Sequence, residues 1–105
     1  MKDKIKFSLD NEEKVLIFNS LTVLKESLIE KKISTDSVEE IISKIYSKPT
    51  LELDILDSKI VINALYEMRG KLKEEEKPHA SVNNILLKVI DMTNKKDNFK
   101  KGMIR

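Results

Sequence analysis

The chain has 105 residues and a mass of 12.2 kDa, room for one hydrophobic core and not for two. Twenty basic residues against 18 acidic ones leave a net charge of +2, which argues against a nucleic-acid coat or a polyanionic tail. With no cysteine, one histidine (His79), two glycines and two prolines, disulfide scaffolds, thiol chemistry, zinc ribbons and turn-rich all-β folds are excluded.

A short alternating stretch comes first, Ile5-Lys6-Phe7-Ser8-Leu9, with Phe7 and Leu9 on one side as in a strand. Asp10, with Glu13 three residues on, reads as a helix cap followed by an acidic first turn. Ile17, Leu21, Leu24 and Leu28 then repeat at helical spacing. The pattern breaks at Lys32-Ile33-Ser34-Thr35. Thr35 or Asp36 can cap a second, shorter helix, and Glu39 closes a box if Asp36 is the cap. Val38, Ile41, Ile42 and Ile45 form its apolar face.

The same order then recurs. Leu51 and Leu53 alternate in residues 49–53, and Asp54 stands before Asp57 as Asp10 stands before Glu13. Val61, Leu65, Met68 and Leu72 make a second long stripe. Pro78 interrupts it, and Val82, Ile85, Leu86 and Val89 make the fourth. Sliding the chain by 44 residues lays 4–46 on 48–90 without a gap and with eleven identities, Asn19/Asn63, Lys44/Lys88 and Ile41/Ile85 among them. Chance pairing at such a composition gives roughly three or four. The expected fold is all-α: two tandem αα-hairpins about a pseudo-twofold axis, with a minimal two-stranded ribbon from residues 4–9 and 48–53. One domain is expected over 1–93. Residues 94–105 carry five basic residues and one acid and show no core pattern, so a flexible basic tail is expected there.

Catalytic motifs are missing. No GxGxxG, GxxxxGK[ST] or HExxH occurs, and His79 has no partner for a triad or a metal site. Adjacent acids such as Glu12 with Glu13, or Glu74 through Glu76, sit at helix ends rather than across a cleft. The inventory argues against an enzyme, and no cofactor or metal is expected. Asn19 and Asn63 recur mid-helix, where asparagine is unfavourable; a pair bonding across the axis explains them, as does a polar contact to a partner. Lys25/Arg69 and Lys44/Lys88 recur as well and read as solvent-facing. Phe18, Val23 and Ile29 suggest an apolar strip on the first half, where the second half has Ile62, Glu67 and Lys73. Tyr66 stands where the first half has Thr22.

Asn63-Ala64-Leu65-Tyr66-Glu67-Met68-Arg69 resembles the NALxxLR segment of small helical proteins of Firmicute phages and mobile elements. Thr35-Asp36-Ser37-Val38-Glu39-Glu40-Ile41-Ile42-Ser43-Lys44-Ile45 is similar to their TDxVDELLxKI segment. Those proteins hold one such hairpin, whereas this chain would hold two. It departs from them at Ser20, at Met68, and at Pro78-His79-Ala80, where the TD pair is lost. The resemblance implies a phage or prophage origin and no particular activity. That origin agrees with the AT-rich coding implied by 18 lysines to two arginines and 13 isoleucines.

A small protein-binding module acting on a host protein, or self-associating as a homodimer, is therefore expected. The competing reading is a nucleic-acid-binding regulator that uses Arg69, Lys71, Lys88 and the tail residues Lys95, Lys96, Lys100 and Lys101. Met1-Lys2-Asp3-Lys4-Ile5-Lys6 lacks a signal-peptide apolar stretch, and no run reaches the length of a membrane span, so a cytoplasmic location is expected.

Overall fold

A computed structural model describes the backbone of residues 4–104 and the side chains of residues 4–96. The order is β1 (Ile5–Ser8), α1 (Asn11–Glu30), α2 (Asp36–Ile45), β2 (Thr50–Leu53), α3 (Ile55–Glu74) and α4 (Ala80–Ile104). The fold is mostly helical, with four helices and one two-stranded antiparallel ribbon. The two long helices have 20 residues each, and α1, α2, α3 and α4 begin at residues 11, 36, 55 and 80, so the second pair is offset from the first by 44.

The ribbon is antiparallel. Its pairs are Ile5↔Leu53, Lys6↔Glu52, Phe7↔Leu51 and Ser8↔Thr50. Phe7 is thus paired with the residue 44 positions after it. Ile5, Phe7, Leu51 and Leu53 send their side chains into the core, and the alternate residues stay at the surface. α1 and α3 pack on each other, each hairpin packs on itself, and α2 and α4 cross to the strand of the opposite half. The result is one core shared by both halves, with Ile17, Leu21, Ile41, Ile45, Val61, Leu65, Val82, Leu86 and Val89 all but sealed from solvent.

The caps follow the sequence at the long helices. Asp10 Oδ1 accepts from the Glu13 N–H at 2.8 Å, and Glu13 Oε1 accepts from the Asp10 N–H at 3.1 Å, a complete capping box. Asp54 Oδ1 accepts from the Asp57 N–H at 2.8 Å. At α2 the expected cap is not made. The Thr35 side chain makes no cap bond, Ser34 Oγ accepts from the Asp36 N–H at 3.3 Å, and Glu39 turns to Lys25 Nζ at 2.9 Å instead of closing a box. The helix is capped at Thr35 and not at Asp36, which makes Glu39 its fourth residue and places it one position too far along to close a box.

Both long helices stop in the same way. Lys32 and Glu76 have φ of 59° and 56°. The Ile33 N–H donates to Leu28 O at 2.9 Å, and the Lys77 N–H to Leu72 O at 2.8 Å. These are Schellman stops, and the first forms without a proline, so Pro78 is not what ends α3. Left-handed backbone at a side-chain-bearing residue is unfavourable. Glu76→Gly is therefore expected to raise stability by about 0.5–1 kcal/mol, checked by the shift in urea midpoint at constant m.

The recurring cations are not free. Lys25 Nζ lies 2.9 Å from Glu39 Oε1, and at the matching place Arg69 Nη1 donates to Asn83 Oδ1 at 2.9 Å. Lys44 Nζ lies 3.9 Å from Asp57 Oδ2, and Lys88 Nζ lies 3.3 Å from Glu13 Oε2 and donates to Ser8 O at 3.0 Å. The second pair of contacts ties each half to the other. Reading Lys44 and Lys88 as merely solvent-facing missed this, because the partner acids are remote in sequence.

At the far end, α4 does not stop at Thr93 but continues to Ile104. Lys95 beside Asp91 at 3.1 Å supports the continuation, and no helix-breaking residue lies between Thr93 and Gly102. Thr93 itself is buried, its hydroxyl donating to Val89 O at 2.7 Å. Deleting residues 94–105 is expected to shift Tm by only a few degrees, since the sequence shows no core periodicity after Thr93.

Candidate functional site

The core-facing side of α1 is marked by Ile17, Ser20, Leu21 and Leu24, and that of α3 by Ser58, Val61, Ala64 and Leu65. What remains is the outward side of each helix. On α1 it runs Glu12, Val15, Asn19, Thr22, Glu26 and Ile29, and on to Ile33 just past the helix end. The spacing alternates three and four, so the side chains from Glu12 to Ile29 form one row down one face, while Ile33 follows the left-handed Lys32 and no longer keeps the helical register. The matching row on α3 runs Leu56, Lys59, Asn63, Tyr66, Gly70 and Lys73, and on to Lys77.

These rows gather most of the exposed apolar surface among the described residues. Val15 (47%), Ile29 (57%), Leu56 (70%) and Tyr66 (46%) lie on them, and Ile33 (53%) stands just past the end of α1; Tyr46 and Leu87 are the other large exposed hydrophobics. The two rows differ in character. Val15, Ile29 and Ile33 on the first half stand where Lys59, Lys73 and Lys77 stand on the second, while Glu12 and Glu26 stand where Leu56 and Gly70 do.

The expected strip of Phe18, Val23 and Ile29 is corrected in part. At about 100° per residue, Val23 and Ile29 are roughly 120° apart around the helix and cannot share a face. Val23 is half-buried, and Phe18 is half-buried against Tyr46 with ring centroids 6.1 Å apart. Only Ile29 of the three is on the outward row. Val15 and Leu56 are exposed on the outward rows as well, and the 3–4 spacing opposite the core stripe is the signal in the sequence that marks them.

Asn19 and Asn63 make no bond across the axis; both are exposed on the outward rows. Their recurrence therefore has no origin in the core. Tyr66 is exposed beside the Arg69 guanidinium, which sits 4.9 Å from its ring centroid. Gly70 shares the row, and a Cβ added there would meet nothing within 4 Å. Glycine inside a helix is unfavourable, and nothing within the chain requires it here. Gly70→Ala is expected to stabilise the isolated fold by about 0.5–1 kcal/mol, read from thermal melting.

The basic residues of the nucleic-acid reading do not converge. Lys88 is held by Glu13 and Ser8, and Arg69 by Asn83. Lys71 is two residues from both Arg69 and Lys73, hence on another side of α3. Lys95 and Lys96 line a separate groove of about 510 Å³ with Lys4, Lys6 and Met92. The side chains of Lys100 and Lys101 lie outside the described residues. A wider groove of about 860 Å³ at the α3–α4 turn is lined by Arg69, Lys73, Lys77, His79 and Asn83, with Glu76 among them.

Among the described residues no cluster of three or more His, Asp or Glu is placed to hold a metal ion. Nor is any described helix long and apolar enough to cross a membrane. No family model, curated protein or solved structure matches the chain.

Proposed function

We propose that the chain is a non-enzymatic protein-binding module, a phage or prophage factor that docks on a host protein, built from two copies of one strand–hairpin unit. The observation that carries this reading is the outward row of α1, where Val15, Ile29 and Ile33 stand half-exposed at positions that carry lysine in the other half. Two matched helices on one core have the same need for a polar outer face, so exposed apolar residues on α1 where α3 carries lysine are best explained by a contact. The phage origin rests on the resemblance of residues 35–45 and 63–69 to the helical proteins described above. The internal engagement of Lys88 and Arg69 favours a protein partner over nucleic acid.

The test is affinity capture from a host lysate with the full chain and with Ile29→Lys/Ile33→Lys, which copies the other half. Capture of a discrete partner by the parent chain, lost in the variant at unchanged helical content, is expected. Equal capture by both moves the contact off α1. Salt-titrated gel shift on duplex DNA checks the competing reading, since phosphate-driven binding weakens steeply with salt.

A further inference from the structure

Arg69 and Lys73 stand one turn apart on α3 and line the groove of about 860 Å³ at the α3–α4 turn, together with Glu76, Lys77, His79 and Asn83. We infer that this groove binds the phosphate group of a phosphate monoester, held by Arg69, Lys73 and Asn83. The inference goes beyond the protein-binding reading, which rests on α1.

The first half of the chain supplies the comparison. There Lys25 Nζ meets a carboxylate, Glu39 Oε1 at 2.9 Å, and the next turn of the helix carries the apolar Ile29. In the second half the cation is kept and its acid is gone. Arg69 Nη1 donates to the amide oxygen of Asn83 at 2.9 Å, and Lys73 stands in the place of Ile29. Asn83 and the Tyr66 ring, whose centroid is 4.9 Å from the guanidinium, fix the half-buried Arg69 without supplying a negative charge. Among the described residues neither Arg69 nor Lys73 has a carboxylate within ion-pair distance. Like charges one turn apart on a helix repel, so the pair costs stability in the chain alone. A phosphate monoester removes that cost, since it brings a charge of about −1.5 to −2 and three acceptor oxygens. The guanidinium N–H groups not used by Asn83, the Lys73 ammonium and the Asn83 amide N–H groups would donate to it. A carboxylate or a phosphodiester carries a single charge and would balance only one of the two cations. Lys77 lies 3.3 Å from Glu75, and Glu76 adds an acid to the lining, so a long run of phosphates is disfavoured there.

The test follows the amide NMR spectrum of the full chain as inorganic phosphate, a sugar phosphate or a phosphoserine peptide is added, each to about 10 mM at fixed ionic strength. Saturable shifts centred on residues 69, 73 and 83 are expected. Lys73→Ile and Asn83→Glu, which copy Ile29 and Glu39 of the other half, should each raise the dissociation constant about tenfold or more without loss of Tm. Lys71→Ile, on another side of α3, should leave it unchanged. Tighter binding of the sugar phosphate or of the peptide supports the inference and names the source of the phosphate, a free metabolite or a modified protein. Shifts that do not saturate overturn it, as do saturable shifts that neither Lys73→Ile nor Asn83→Glu weakens. Tighter binding of duplex DNA, lost in the same two variants, would give the groove to a phosphodiester backbone and overturn it as well. Host capture through α1 is unaffected by any of these results.

Discussion

Phe7→Ala is expected to remove about 3–5 kcal/mol of stability, a large part of what a domain of this size holds. Phe7 is 1% exposed, and its strand partner is Leu51, also 1% exposed. A two-stranded ribbon has little stability alone and persists only when one face is covered. In this fold that face meets the core shared by both hairpins, so the phenyl ring joins ribbon to helices at the place where the two halves meet. Its loss leaves a cavity that several elements would have to move together to fill. Tm should fall by roughly 15–30 °C, followed by far-UV circular dichroism with a urea titration. Lys6→Ala is the control. Its side chain is 74% exposed and only 3.8 Å from Glu52, so its removal should change little. A loss below about 1 kcal/mol for Phe7→Ala would mean that the ribbon contributes nothing to the core.

The architecture was legible because three local signals agreed: apolar period, aspartate caps and the 44-residue recurrence. The two long helices begin where Asp10 and Asp54 place them, and the buried stripe is the one read from Ile17, Leu21 and Leu24 with Val61 and Leu65. The ribbon was legible for the same reason, since Leu51 and Leu53 alternate with polar residues and cannot all face inward from a helix. What was not legible depends on residues far apart in sequence. Glu39 leaves its helix end for Lys25, and Lys88 reaches Glu13 and Ser8 across the molecule. Asn19 and Asn63 looked like core polar residues because they recur, yet recurrence in both halves marks any position with a shared role, outer surface included. The outward rows were half legible. Ile29 was singled out by comparison with Lys73, but Val23 was grouped with it through the same substitution pattern, without regard to its angle around the helix. The length of α4 escaped because the apolar pattern ends at Thr93, while the residues that follow are adequate helix formers.

Ala64→Leu is expected to destabilise the fold by about 1–3 kcal/mol, an effect of packing with no polar contribution. Ala64 is fully buried on α3, and its counterpart on α1 is Ser20, also fully buried. Small residues thus recur at the matched position of the two long helices, which pack against each other. Interaxial distance is set by the side chains at the contact, and two small ones allow close approach. A leucine at either position must drive the helices apart or take up a strained rotamer. Separating them also disturbs Leu21 and Leu65, each wholly buried one residue further along. Serine at position 20 is tolerated because its hydroxyl donates to Leu16 O at 2.7 Å, satisfying itself within its own helix. Ser20→Ala should therefore be near neutral, or stabilising by a few tenths of a kcal/mol. Ser20→Leu should cost as much as Ala64→Leu. Urea unfolding of the three variants separates the explanations: equal losses for both leucines place the closest approach of the helices at this pair. A benign Ala64→Leu beside a damaging Ser20→Leu would instead put free volume on the α3 side of the contact.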